Sequence, residues 1–525
     1  MSALESPPQK ITYTSAAADL SAFHRAFDEA LLAWRARLGE THPILVEGRG
    51  LRSSAPPLVD TSPIDTARVL ARFESATPAH VEEAVRSARS AQPAWGRLPF
   101  AERLDVLRRA ARAIRRRKFE IAALMSLEVG KSRLEAMGDA EEAADLVDYY
   151  AGELEAARGF VRPLGRLSPN ENTLSVLRPY GVFACIAPFN FPMALSTGMS
   201  AAALLAGNAV VYKPSQEAPF TGLMLAEAYG EAGLPKGLFS YLPGRAAEVG
   251  DALWSHPGVD GVVFTGSKEV GMRMLRGLPK NFAKPALLEL GGKNPTYVSA
   301  SADLDKAASG VVRSAFSLQG QKCSACSRVY VHEEVYDLFA DKLLAGTRAL
   351  VRGDPSERDV FFGPVVNARA VATFEQAVRS AREAGRILEG GERLRGGLFD
   401  RGHFVAPTVV ELPLAHEIFL RELFVPLLAV GRVKGLEEAL AESNKADYGL
   451  TAGIFSEDRQ EVLKFFEGIE AGVCYANRSS GATTGAWPGV QSFCGWKGSG
   501  STGKGACGPY YVMQFMREQS RTIME

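Results

Sequence analysis

Hydrophobic and polar positions alternate along this chain in two different rhythms. From Pro78 to about Glu155 the apolar residues recur at helical spacing. Leu104, Leu107, Ala111 and Ile114 fall on one face, which predicts a run of helices with that face buried. The opposite face carries Arg108, Arg109, Arg112, Arg115, Arg116 and Arg117. With no aromatic residues interleaved, it is expected to be a solvated helical face and not a nucleic-acid groove. Residues 1–60 form a polar lead with one predicted helix near 22–38.

The rhythm changes near residue 174. Short, wholly apolar strands are predicted at 181–187, 209–213 and 261–265, with helices at 200–206 and 219–232, a Gly-Leu-Pro-Lys-Gly turn at 233–237, and a further helix opened by Ser267. Such alternation predicts a parallel sheet with helices on both faces, the architecture used for dinucleotides. A second α/β block is expected from about residue 289 to 472, with helices at 304–318 and 334–350 and a strand at 328–331. The tail from 476 is rich in glycine but carries Trp487, Phe493 and Trp496, so it reads as an ordered binding loop more than a flexible spacer.

Composition narrows the picture. A chain of 525 residues is too long for one core, so two or more domains are expected. Lys+Arg and Asp+Glu are both 60, so no net field recruits nucleic acid or anionic lipid. The start, Met1-Ser-Ala-Leu-Glu-Ser-Pro-Pro, has no basic segment followed by an apolar run, and the expectation is a cytoplasmic protein. The most apolar stretch, 181–212, is broken by Pro188, Asn190, Pro192 and Asn208, which argues against a membrane span. Six scattered cysteines, at 185, 323, 326, 474, 494 and 507, suit reduced thiols and not a disulfide framework.

One cysteine stands in a suggestive setting. Cys323 lies in Gly-Gln-Lys-Cys-Ser, and Glu289 lies 323 − 289 = 34 residues upstream in Glu-Leu-Gly-Gly-Lys. A thiol nucleophile and a carboxylate base suggest covalent catalysis through a thioester. The thiol needs help to ionise, which Lys322 and nearby amides are placed to give. Against this stand an inert buried cysteine and a surface Glu289 paired with Lys293. Cys323-Ser-Ala-Cys326 has no second CxxC, so no metal site is expected. Asn190, in Pro-Phe-Asn-Phe-Pro, can aim an amide at a developing oxyanion, or can simply form a turn. Phe264-Thr-Gly266-Ser267-Lys-Glu-Val-Gly271 joins a predicted strand to a helix start and suits a phosphate, although an ordinary N-cap by Ser267 explains it nearly as well. Lys213 ends a strand and can reach ribose hydroxyls, or it is a surface lysine.

The order of these segments says more than any one of them. Ala-Pro-Phe-Asn-Phe-Pro, Tyr-Lys-Pro-Ser, Phe-Thr-Gly-Ser, Glu-Leu-Gly-Gly-Lys, Gly-Gln-Lys-Cys-Ser and Glu422-Leu-Phe424-Val-Pro426 follow one another along the chain. From about residue 40 to the end the chain resembles the aldehyde dehydrogenase superfamily. Within it, it is most similar to the 1-pyrroline-5-carboxylate dehydrogenases, which oxidise L-glutamate γ-semialdehyde to glutamate. The lead ending Leu38-Gly-Glu-Thr-His-Pro-Ile-Leu45, the 316–327 block and the 485–510 tail carry that narrower likeness.

The resemblance implies a fold and a set of roles. The fold is α/β: a Rossmann-type dinucleotide-binding domain with the N-terminal lead (1–288, with an oligomerisation hairpin near 158–178), a catalytic domain (289–475), and a substrate-anchor loop with a C-terminal oligomerisation tail (476–525). Cys323 attacks the aldehyde, the Asn190 amide and the Cys323 N–H hold the oxyanion, and Glu289 activates water. Lys213, Ser215, Gly266, Ser267, Gly271, Glu422 and Phe424 bind the cofactor, with NAD expected and NADP left open because Gln216 is neutral. Ser324, Gly485 and Ala486 anchor the substrate carboxylate, and Phe191 and Phe493 flank its aliphatic middle. A homo-oligomer, dimer or larger, is implied. Three features depart from the family pattern: Val425 and Cys494 stand where glycines are usual, and the loop 477–485 is longer. They leave room for another small aldehyde as substrate, or for a binding protein that keeps the fold without the chemistry.

Overall fold

The structure, a computed structural model, describes residue 12 and residues 20–278, 282–481 and 486–525. Two seven-stranded sheets form its frame. In the first, Ala286–Glu289, Gly261–Thr265, Val182–Ile186, Ala209–Lys213 and Phe239–Tyr241 run parallel in that spatial order. The hairpin Ile44–Val46/Arg49–Leu51 extends this sheet in antiparallel fashion. The strands at 182–186, 209–213 and 261–265 are buried at every position. That is why they read as unbroken apolar runs and not as alternating ones. Strand order reverses beside Val182–Ile186, which makes a crevice at the carboxyl ends of the strands.

The second sheet runs Arg386–Glu389, Thr408–Glu411, Leu427–Val433, Cys326–His332, Asn294–Val298, Thr451–Phe455 and Val473–Ala476, parallel except at its first strand. Its two faces feed separate apolar clusters. Tyr330, Leu427 and Ala429 enter one, while Val329, Val331, Leu428 and Val430 enter the other. The period-two geometry of a strand produces this division.

The helical region consists of Pro78–Arg97, Phe100–Arg116, Lys118–Val129 and Arg133–Ala156. Leu104, Leu107, Ala111 and Ile114 are buried as the spacing predicts. The arginine face is less solvated than expected. Arg115 pairs with Asp145 and Asp148, and Arg117 pairs with Glu120, Glu227 and Glu231. Arg103, one turn from Leu107, is itself buried and donates from Nε to the Leu205 carbonyl at 3.0 Å. The helix expected at 200–206 begins earlier, at Ala194, where the Ala194 N–H is held by Asp139 of the helix Arg133–Ala156 at 2.6 Å and Gly198 faces Leu146 of that helix.

Among the described residues, a smaller sheet touches the first core only through Met516 and Leu177. Glu171–Pro179 pairs antiparallel with Val161–Pro163 and with Met516–Met524. Most of its residues are exposed or half-buried, and Leu167, in the turn beside it, is 99% exposed. No helix among the described residues is long and apolar enough to cross a membrane.

Candidate active site

Strand Ala286–Glu289 closes the first sheet, and after Leu290-Gly291-Gly292 the chain enters the second sheet at Asn294. The two glycines are required by what lies against them. A Cβ on Gly291 would sit 1.9 Å from Glu422 Oε2, and one on Gly292 would sit 2.5 Å from the Cys323 carbonyl oxygen. Bare backbone lets a carboxylate and the thiol's loop approach together. Glu422 Oε1 accepts from the Gly292 N–H at 3.0 Å.

The loop that carries Cys323 begins where the helix Leu304–Phe316 stops. Leu318 (φ 46°), Gln319 (φ 54°) and Gly320 (φ 68°) are all left-handed. Such non-glycine residues cost of order 1–3 kcal/mol each and persist only where neighbours hold them. Here Glu135 Oε2 accepts from Leu318 N–H at 2.9 Å, and Gln321 is tied to Val366 N–H (2.9 Å) and the Leu318 carbonyl (3.2 Å). Past the turn, Asn294 Nδ2 donates to the carbonyls of Cys323 (2.7 Å) and Ala325 (2.9 Å), while its Oδ1 accepts from Thr451 N–H at 3.0 Å. Cys323 emerges partly exposed. Cys326 is buried, its Sγ 3.3 Å from Thr296 Oγ1, so the CxxC is two separate thiols with different surroundings.

The Lys322 ammonium, beside the thiol in sequence, pairs with Glu135. Burial, then the carboxylates of Glu289 and Glu422, push the Cys323 thiol up to about 12, with the Ser324 and Cys323 amides opposing. Glu289 accepts from Ala506 N–H at 2.9 Å, and burial raises its carboxyl to about 7. Its suggested pairing with Lys293 is not formed. Lys293 is buried, donates to the Ser327 carbonyl at 3.4 Å, and is lowered to about 7 mainly by burial. A carboxyl that changes charge near neutrality is suited to proton transfer.

A cavity of about 480 Å³ opens at the carboxyl ends of Val182–Ile186 and Gly261–Thr265. Asn190 and Cys323 stand at one part of its wall, Lys213, Ser215, Gly266, Ser267, Glu422 and Phe424 at others. Lys213 is buried, lowered to about 8 by desolvation, and donates to the Pro214 carbonyl at 2.9 Å. Ser267 caps the helix Lys268–Gly277 through Val270 N–H at 3.4 Å. Gly271 does not line the cavity. A Cβ there would meet Leu290 Cδ2 at 2.5 Å, so this glycine brings the helix close to the strand end. Phe424, itself at φ 58°, sets its ring edge-on to Phe189 at 5.9 Å. Val425 is buried in the same wall.

The expected substrate residues lie elsewhere. Ser324, Ala486, Phe191 and Phe493 are not part of that cavity wall, and Gly485, with residues 482–484 of the longer loop, lies outside the described residues. Ala486 is buried, and its neighbour Trp487 donates from Nε1 to Asp145 at 2.8 Å. Phe493 N–H donates to the Ala506 carbonyl at 2.8 Å, which draws the glycine-rich tail back towards Glu289. Cys494, in a usual glycine position, donates from Sγ to the Gly472 carbonyl at 3.1 Å. Phe191 lies beneath the Lys131 ammonium, 3.9 Å from the ring centroid.

Asn294, Lys131, Glu135 and Asp139 were not singled out by the sequence. Asn294 follows the Glu-Leu-Gly-Gly-Lys motif directly. The other three sit in a segment whose acidic residues look like an ordinary solvated helix surface.

Comparison with known proteins agrees with this geometry. The aldehyde dehydrogenase family profile matches residues 52–520. A 1-pyrroline-5-carboxylate dehydrogenase of Geobacillus sp. (strain WCH70) is 36% identical over 512 residues, covering 96% of this chain and 97% of that protein. The 1-pyrroline-5-carboxylate dehydrogenase 2 of Bacillus subtilis (strain 168) is 35% identical, covering 95% and 96%. The solved structure of 1-pyrroline-5-carboxylate dehydrogenase from Thermus with bound NAD superposes with a TM-score of 0.92 at 34% identity, covering 99% of this chain and 100% of that one. With a switch-point cavity that reaches a cysteine, and end-to-end likeness to these proteins, the chain belongs to the aldehyde dehydrogenase family.

Proposed function

We propose that this protein oxidises L-glutamate γ-semialdehyde, the open form of 1-pyrroline-5-carboxylate, to L-glutamate with NAD, in proline catabolism. The observation that carries the reading is a dinucleotide-type cavity walled by Asn190 and Cys323, with the Glu289 carboxylate close enough to act on the Cys323 thiol, in a chain matched end to end by 1-pyrroline-5-carboxylate dehydrogenases. The cavity suits the cofactor. It offers a buried ammonium (Lys213), a carboxylate for ribose hydroxyls (Glu422) and the amino end of the helix Lys268–Gly277 for the pyrophosphate. When bound, the nicotinamide supplies a hydride acceptor.

The protein's own residues do the rest. Cys323 Sγ releases its proton to solvent and bonds to the carbonyl carbon, and the new oxyanion is held by the Asn190 amide and the Cys323 N–H. Loss of hydride leaves an acyl group on sulfur. Glu289 takes a proton from water as its oxygen attacks the thioester, and the Cys323 thiolate leaves. Burial and the neighbouring carboxylates hold the thiol up, so the attacking thiolate is scarce in the resting site. Ser324 and the backbone of Gly485 and Ala486 anchor the distant carboxylate, with Phe191 and Phe493 beside the aliphatic chain. Residues 1–288 serve the cofactor, 289–475 the chemistry, and 476–525 the substrate and self-association, in a cytoplasmic homo-oligomer. The exposed sheet containing Met516–Met524 supports the last assignment.

Cys323→Ala is expected to abolish NADH formation while NAD still quenches tryptophan fluorescence. Turnover by that variant would overturn the assignment. Across a panel of aldehydes, glutamate semialdehyde should give the highest kcat/KM. A higher value for an unsubstituted aliphatic aldehyde would transfer the activity to another small aldehyde.

A further inference from the structure

Four charged side chains are buried behind the reaction centre, although ionic groups are rarely buried unless each is matched. Lys131 and Asp139 are fully buried and pair at 2.7 Å. Lys322 and Glu135 form a second buried pair. Glu135 and Asp139 are four residues apart on the helix Arg133–Ala156, so they project from one face.

Each pair also grips a different part of the site. Lys131 Nζ donates to the Asn190 carbonyl at 2.7 Å, and Asp139 Oδ1 accepts from Ala194 N–H at 2.6 Å, so this pair clamps both ends of the segment 190–194. Glu135 accepts from Leu318 N–H at the left-handed turn, while its partner Lys322 is the residue before Cys323. The Phe191 ring lies near both ammonium groups, at 3.9 and 5.7 Å from its centroid. The oxyanion segment and the nucleophile loop come from different sheets and share no strand, yet both are fastened to two adjacent turns of one helix.

We propose that the buried pairs Lys131–Asp139 and Lys322–Glu135 form a single positioning brace that sets the Asn190 amide at its working distance from the Cys323 thiol. None of the four is a catalytic residue; each acts through Asn190 or the cysteine loop. The brace rests on the assignment of Asn190 as oxyanion donor. It explains why full charges are kept where apolar side chains would fill the space: Lys131 and Asp139 each hold a backbone group of the segment 190–194, and Glu135 holds one of the cysteine loop, which no apolar side chain can do.

A double-mutant cycle on the full-length enzyme tests it. Asn190→Ala alone should lower kcat about 10²- to 10³-fold, as expected for loss of one oxyanion donor. Lys131→Met should lower kcat by about 10²-fold, the effect of a misplacement near 1 Å, with KM and the NAD dissociation constant unchanged. In Lys131→Met/Asn190→Ala the losses should not multiply, because Lys131 acts only through a donor already removed. Lys131→Met/Asp139→Leu removes both charges, and carries the test if the single variant does not fold. Multiplying losses, or normal kcat in the charge-free variant, would overturn the brace. Normal kcat in Asn190→Ala would overturn the oxyanion assignment itself, and the brace with it.

Discussion

At the residue scale the proposed chemistry turns on one carboxyl held near neutrality. Glu289 is raised to about 7 by burial, with a single backbone donor opposing. As a base it must be ionised, so hydrolysis of the thioester should weaken as pH falls below about 7, measured as an acid limb in kcat. Glu289→Gln should remove that limb and leave one burst of NADH per site. The same shift has a stability consequence of defined sign. A carboxyl whose folded pKa is raised binds its proton more tightly in the folded state. Its contribution is therefore fully present below the ordinary carboxylate range near 4.5 and is lost as pH rises through about 7. Glu289→Gln should accordingly gain stability over the parent at pH 8 and match it at pH 4, read by thermal melting. Gly291 makes a sharper case. A Cβ there would lie 1.9 Å from Glu422 Oε2, so Gly291→Ala should push that carboxylate into the cavity and weaken NAD binding, while Cys323 alkylation by iodoacetamide continues. Equal NAD affinity in the alanine variant would count against Glu422 as a cofactor ligand.

At the element scale the sequence was legible wherever local chemistry decides the outcome. The strands Ala209–Lys213 and Gly261–Thr265 lie where the apolar runs predict them, since a strand buried on both faces has no polar positions to blur its edges. The helix predicted at 304–318 ends two residues early, at Phe316, because Leu318 and Gln319 take left-handed conformations that no propensity favours. Partners distant in sequence, Glu135 and Val366 among them, hold that turn. Helix caps belong to the legible class. Asp303 Oδ1 accepts from the N–H groups of Asp305 and Lys306 at 3.1 and 3.0 Å. Asp303→Ala should destabilise the protein by about 1 kcal/mol, measured by urea denaturation, with activity at low denaturant unchanged.

At the scale of the whole molecule, the strand Met516–Met524 pairs along nine residues with Glu171–Pro179 and leaves most of its side chains exposed. An exposed edge of this length is a ready surface for pairing with another chain. On the proposed self-association, deleting residues 516–525 should shift the enzyme to a smaller species in sedimentation, with NAD binding retained. By itself the sequence determined the two α/β blocks and their buried strands, which follow from apolar runs and periodicity and are local properties. The roles proposed for Cys323, Glu289 and Asn190 came from the order of six motifs and the family they resemble, not from any one spacing. Tertiary structure alone decided that Lys322 pairs with Glu135, that Gly271 packs a helix and does not line the cavity, and that Lys131 and Asp139 stand behind Asn190. Those outcomes depend on which distant groups satisfy a buried charge or fill the space beside a backbone, and no spacing along the chain encodes such partners.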